Sequence, residues 1–327
     1  MPRCCGAAGR LAIACAWVAL GWGCTSETPS TPTPAPAPAP TSDLRVTLTG
    51  HVTATNGAQP LANVKASFSP DFTAMTDASG TFTMRFAPGT TSRLTLEGEG
   101  IVTRSVVAAV NQTRTLDVDA IAQDGRFDLK FYRDFVRDNI DSPGVMRTLR
   151  RWTAAPQIYL RTIDDTSRAI DSQTLALTES VIRDTVPLFT GGRFGVATVE
   201  RGTETREGVA GWVTVRWFAT RGYKYCGMAD VAVSGGTIDF YPETGCRCPG
   251  GPAIGAGLIR HELGHTMGFF HTDSADDVLF YQGVGCNREV SARERYHAAI
   301  AYARPFGNRD PDTDPNATVY LEPLRVR

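Results

Sequence analysis

The chain has 327 residues, 42% hydrophobic and 20% charged, with a formal net charge of -1. That length accommodates two domains of ordinary size plus accessory segments, and the composition excludes a disordered or fibrous chain. The balanced charge gives no electrostatic case for nucleic acid or an anionic membrane surface, and no interior stretch is apolar for long enough to span a bilayer.

In chain order, Arg3 and Arg10 flank a short positive region, and residues 11–20 form an apolar run too short for a stable span. This is the layout of a secretory signal peptide, expected over residues 1–24. Cys24 follows Gly23, where a bacterial lipoprotein signal places its acylated cysteine, but Gly21 stands where that pattern has Leu. A membrane tether through Cys24 and free secretion therefore both stay open, and the expected location is the cell envelope or outside the cell. Residues 25–42 are rich in Pro and Thr, a composition that favours extended polyproline II and builds no core.

Residues 43–122 show short runs of period two, such as Leu44-Arg45-Val46-Thr47-Leu48, Val64-Lys65-Ala66-Ser67-Phe68 and Thr81-Phe82-Thr83-Met84-Arg85-Phe86. Turn residues such as Ser79-Gly80 and Pro88-Gly89 separate them. The spacing predicts a small antiparallel β-sandwich. The stretch from Gly50-His51-Val52 to Pro60-Leu61-Ala62-Asn63-Val64, with Thr76 to Phe82, resembles the carboxypeptidase regulatory-like (prealbumin-like) domain. His51, alone on a strand, reads as packed or solvated.

After Gly125 the period becomes helical, with Phe127, Phe131 and Phe135 four apart. Arg147, Arg150 and Arg151 read as a solvated helix face. A strand is expected over 158–163 and a helix over 171–189, stopped by Pro187 and Gly191-Gly192. Strands follow over 196–200, 212–218, 228–233 and 237–241, then a glycine-rich loop and a further helix. That order makes residues 123–327 an α+β domain. The fold class expected is thus multidomain, a β-sandwich followed by an α+β domain.

Residues 261–271 read HELGHTMGFFH, which gathers three of the five histidines into one short run. On a helix, His261 and His265 leave the same face one turn apart, which suits two nitrogen ligands of a tetrahedral zinc site. Gly268 can take the left-handed conformation that ends the helix, so that His271 supplies a third nitrogen from beyond it. Glu262 projects beside them without aiming at the metal. Three neutral nitrogens leave one position open for water, as a catalytic rather than structural site requires.

The run matches the HExxHxxGxxH signature of the metzincin zinc metallopeptidases, in the matrixin and astacin manner. The resemblance implies a metzincin-like domain, one catalytic Zn²⁺ on His261, His265 and His271, a polypeptide substrate, and Glu262 as general base in a zinc metalloendopeptidase. It also implies that Thr237-Ile238-Asp239-Phe240 is the strand before the active-site helix, and that residues 227–231 form the edge strand against which substrate lies. The sequence departs from the family at the Met-turn, where Leu279 stands in place of Met. Tyr281, two residues on, stands where astacins and serralysins have a tyrosine that reaches the metal or transition state. His297 reads as structural.

The acidic run at Asp310, Asp312 and Asp314 would suit Ca²⁺, but a solvated, turn-rich tail accounts for it more simply. Beyond residue 24 the cysteines are Cys226, Cys246, Cys248 and Cys286, expected to form two disulfides in an exported chain. Cys246 and Cys248 are too close to bridge each other without strain, which leaves two pairings. A rival reading is a non-catalytic, metal-stabilised adhesion or binding module of the cell envelope. Glu262 argues against it, since a purely structural site has no use for that carboxylate. A carbohydrate-active protein is a third idea, and it lacks a paired-carboxylate signal.

Overall fold

The structure, a computed structural model, describes residues 45–326 apart from 56, 70, 220–224, 243–247, 250 and 284. The expected signal peptide, the linker, Cys24 and Cys246 lie outside the described residues. The first half comprises β1 (Val46–Ala54), β2 (Lys65–Ser69), β3 (Phe72–Met75), β4 (Thr81–Phe86), β5 (Thr90–Glu97), β6 (Arg104–Val110) and β7 (Arg114–Ala120). They form a three-stranded sheet, β4-β1-β7, and a four-stranded sheet, β3-β2-β5-β6. Period-two patterning decides which side chains turn inward. Val46, Leu48 and Val52 of β1 meet Phe82, Met84 and Phe86 of β4, and Leu94 and Leu96 of β5, in one buried cluster.

The four-stranded sheet is antiparallel throughout. The other is not, because β7 runs parallel to β1, with Leu48 opposite Arg114 and Ala54 opposite Ala120. Alternation fixes the face a residue takes but says nothing about the direction of the neighbouring strand. The wholly antiparallel expectation therefore fails at this pair.

The second half comprises α1 (Leu129–Arg137), β8 (Gln157–Arg161), α2 (Ser172–Phe189), β9 (Thr198–Gly202), β10 (Trp212–Trp217), β11 (Gly227–Asp230), β12 (Gly236–Phe240), α3 (Ala256–Thr266), α4 (Ala292–Tyr302) and β13 (Arg325–Val326). Its sheet has the order β13-β11-β12-β10-β8-β9. Strands β12, β10, β8 and β9 are parallel, and β11 turns antiparallel at the end of that run. Every residue of β12 is buried, as befits a strand inside a sheet.

Asp128 and Asp171 cap α1 and α2 by accepting from Phe131 N and Thr174 N. Contrary to expectation, Pro187 does not stop α2. It sits in the last turn, where its missing N–H forfeits only one helix bond. The helix ends at Phe189 and the chain turns at Gly191, the other expected stop, with φ at 62°.

Two surface readings are corrected by packing. Residues 147–151 are not helical. Arg150 is buried and donates to the Glu322 carbonyl, while Arg151 donates to the Arg304 carbonyl and lies over the Tyr302 ring. Nor is the acidic run solvated. Asp310 pairs with Arg133, Asp312 with Arg104 and Arg304, and Asp314 with Arg104, so those carboxylates already have cations.

These pairs lock the first seven strands to the rest of the chain. Arg304, fully buried, reaches Asp312 at 2.8 Å, Asp119 at 2.6 Å and Thr55 Oγ1 at 2.8 Å. Burial lowers and the two carboxylates raise its pKa, with a net rise, so it stays charged. Removing one partner of such a group leaves the other charge buried and uncompensated. We expect Arg304→Met to lower the unfolding free energy by about 3 kcal/mol in urea titration, at the low end of the usual range because Arg104 still faces Asp312. Unchanged stability would contradict this.

Candidate metal centre

Helix α3 carries His261, Glu262 and His265, all buried, and ends at Thr266. The chain then reverses at Gly268, whose φ of 108° disfavours any other residue. Space imposes the same choice, since a Cβ at Gly268 would lie 2.1 Å from the Arg150 carbonyl oxygen. The reversal brings His271 back over the helix, and the ligating atoms of His261, His265 and His271 all lie within 4.8 Å of one another.

Each imidazole is held through Nδ1 by a different element. His261 Nδ1 donates to the Val278 carbonyl at 2.7 Å, His265 Nδ1 to the Phe269 carbonyl at 2.8 Å, and His271 Nδ1 to Asp141 Oδ2 at 2.6 Å. A carbonyl oxygen only accepts, so Nδ1 of His261 and His265 must carry the proton. Burial pulls His261 down to about 3 and His265 well below the usual histidine range. Both rings are therefore neutral, and both Nε2 atoms are bare acceptors. Those two atoms face each other at 3.2 Å. Two lone pairs at that distance repel unless a cation lies between them. The separation also suits adjacent corners of a tetrahedron with bonds of ~2.0–2.1 Å. The three histidines thus form a buried group able to bind a metal ion.

Glu262 is 1% exposed, and its Oε2 has no hydrogen-bond partner among the described residues. Burial pushes its carboxyl well above the usual range, partly offset by the charge of Arg325. It lies against the first residue of β11, where a Cβ at Gly227 would sit 2.3 Å from Glu262 Oε1. A buried carboxylate oxygen without a donor calls for one to be supplied.

The loop beneath is fixed by Glu294 of α4. Its carboxylate accepts from Val278 N at 3.1 Å and Leu279 N at 2.9 Å, and from Ser291 N in a capping box. Burial, then the charge of Asp277, pushes Glu294 up to about 7. Leu279 is fully buried. Tyr281 is 48% exposed, and its hydroxyl accepts from Gln282 Nε2 at 2.5 Å. His297 stands apart from the cluster. It is buried, accepts from Asp128 N and packs on Phe127 and Phe131. Cys248 and Cys286 form a disulfide, and Cys226 is disulfide-bonded as well.

Sequence reasoning missed two functional supports. Glu294 had a readable sign, the Ser-x-x-Glu capping box at Ser291. Asp141 had none, lying 130 residues from its partner in a loop after α1.

No protein-family model matches this chain, and no curated protein matches it. Among solved structures, two interface mutants of a type II cohesin–X-dockerin complex from Acetivibrio cellulolyticus align with 24% and 23% of the chain. Their identities are 16% and 20% and their TM-scores 0.21 and 0.18. The chain covers 58% and 51% of those two, little more than half their length. Metalloproteinase-II from Bacteroides fragilis aligns with 77% of this chain and 84% of its own, at 9% identity and a TM-score of 0.30. Likeness this slight establishes neither a family nor an activity, and the functional case rests on the site.

A histidine ligand whose Nδ1–H is held by a carboxylate is both oriented and made more basic. Asp141→Ala should weaken zinc affinity by about 10- to 100-fold, measured by chelator competition, with folding intact. Equal affinity in both proteins would remove Asp141 from the centre.

Proposed function

We propose that the chain is a zinc-dependent metalloendopeptidase of metzincin type, with His261, His265 and His271 as ligands and Glu262 as general base. The observation that carries this reading is the bare, buried Glu262 Oε2 on the same helix as two of three converging imidazoles. A purely structural site would have no reason to keep a carboxylate unpaired there. All-nitrogen ligation by neutral imidazoles favours zinc over calcium or magnesium, which take oxygen.

Zinc bound there would supply Lewis acidity, lowering the pKa of water toward ~7 and polarising a carbonyl. The chain's own groups do the rest. Asp141 and the Val278 and Phe269 carbonyls hold the three rings through Nδ1, which leaves Nε2 as the ligating atom. Glu262, raised by burial, takes the proton of the attacking water on Oε2 and returns it to the leaving amine. Strand β11, antiparallel at the end of the parallel run and in contact with Glu262, is the natural place for an extended peptide to lie. Tyr281 is assigned a supporting role as oxyanion donor, which requires its half-exposed ring to swing from Gln282 toward the substrate.

In the same reading residues 123–327 are the metzincin-like domain, and 43–122 a carboxypeptidase regulatory-like β-sandwich. The chain is exported behind a signal segment, with or without a lipid on Cys24. Among the described residues no helix is long and apolar enough to cross a membrane.

Glu262→Gln separates hydrolase from binding module, because it keeps the shape of the side chain and all three ligands. We expect full zinc content and an unchanged melting temperature, with turnover of unfolded casein lowered roughly 10²- to 10⁴-fold. Wild-type turnover in this variant, or none in the native chain loaded with zinc, would favour the adhesion-module reading.

A further inference from the structure

Helices α1, α2 and α4 each begin on a side chain, Asp128, Asp171 and Ser291, that accepts a backbone N–H of the first turn. Helix α3, which carries two of the ligands and Glu262, begins at Gly255 with no such bond. The Cys248–Cys286 disulfide occupies the place of a capping side chain. A Cβ at Gly255 would lie 2.5 Å from Cys248 Sγ and 2.6 Å from the Cys286 carbonyl oxygen. That same carbonyl caps the helix, accepting from Gly257 N at 2.8 Å. The residues after Cys286 grip α3 further along. The Arg288 carbonyl accepts from Arg260 Nη1 at 3.0 Å, and Glu289 pairs with Arg260. Packing leaves no room between them, since a Cβ at Gly257 would lie 2.0 Å from the Gly285 carbonyl oxygen.

The two cysteines are 38 residues apart, and the loop they close contains His261, Glu262, His265 and His271. We propose that this disulfide positions the metal-bearing helix, with Cys286 as a positioning residue that holds the first turn of α3 through its main-chain carbonyl. The inference rests on the metal reading of the three histidines and adds the device that keeps them gathered. A helix end without a cap frays, and His261 lies one turn beyond Gly257. Metal binding must then re-form that turn as well as collect three nitrogens. Affinity falls by what the cap contributed, a factor of about 5 for a typical cap. Opening the loop adds to the loss, because the ligands then start from a wider set of arrangements.

The test compares the native chain with Cys248→Ser/Cys286→Ser, Gly257→Ala and Val52→Ala. Zinc affinity is read by chelator competition at a temperature where each protein is folded. Val52 is buried in the separate cluster of the first seven strands and serves as the stability control. The double serine variant and Gly257→Ala should each bind zinc at least about 5-fold more weakly and shift the visible bands of the Co²⁺-loaded chain. Val52→Ala should melt earlier yet keep the native affinity and bands. Gly257→Ala gives the sharper sign, because alanine strengthens a bare helix whereas its methyl here forces the Gly285 carbonyl away. It also decides the matter if the double variant does not fold. Native affinity and bands in either of these two variants, or an equal loss in Val52→Ala, overturns the inference and leaves the metal reading standing. A native chain that binds no zinc overturns both.

Discussion

Two imidazole nitrogens, both bare of protons and both buried, face each other at 3.2 Å. This arrangement is unfavourable without a cation, and much of the second half of the chain is organised around keeping it. The Val278 carbonyl holds the first ring, and Glu294 holds the loop bearing Val278 through two backbone N–H groups. The Phe269 carbonyl holds the second ring because the chain reverses at Gly268. Asp141, from the loop after α1, holds the third. Three separate elements thus converge on one point, and each fixes the tautomer as well as the orientation of its ring.

The architecture supplies the rest of the site. Placing β11 antiparallel at the end of a parallel run brings Gly227 against Glu262, so that carboxylate and the start of β11 adjoin. A side chain there would displace the Glu262 carboxylate from its place, since a Cβ would lie 2.3 Å from Oε1. On the far side, buried pairs from Arg104 and Arg304 clamp the seven N-terminal strands to the segment holding Asp312. Such ion pairs contribute less to stability than their number suggests, because burying each charge costs free energy that the partner must offset. Their geometry is specific, however, and it fixes one arrangement of the two halves.

Much of this was legible in the sequence wherever local chemistry decides the outcome. The i, i+4 spacing of His261 and His265 and the positive φ of Gly268 follow from helix geometry alone. The strands with Phe82, Met84 and Phe86, or Val213 and Val215, carry their facing in their own pattern. What was not legible depends on distant partners. Arg150 and Asp312 look like surface charges until the 322 and 304 segments cover them. The parallel β1–β7 pair depends on how the chain returns, and β13 is two residues long, too short for any periodicity. Asp141 is one carboxylate among many until the fold sets it beside His271.

The central claim is that the three histidines exist to hold one zinc ion through nitrogen. Zinc K-edge X-ray absorption on the purified, zinc-loaded chain examines it most directly. The account predicts one zinc per chain, with a first shell of nitrogen and oxygen at ~2.0–2.1 Å and the outer-shell scattering of three imidazoles. A sulfur shell at ~2.3 Å, or an all-oxygen shell without imidazole scattering, would contradict it.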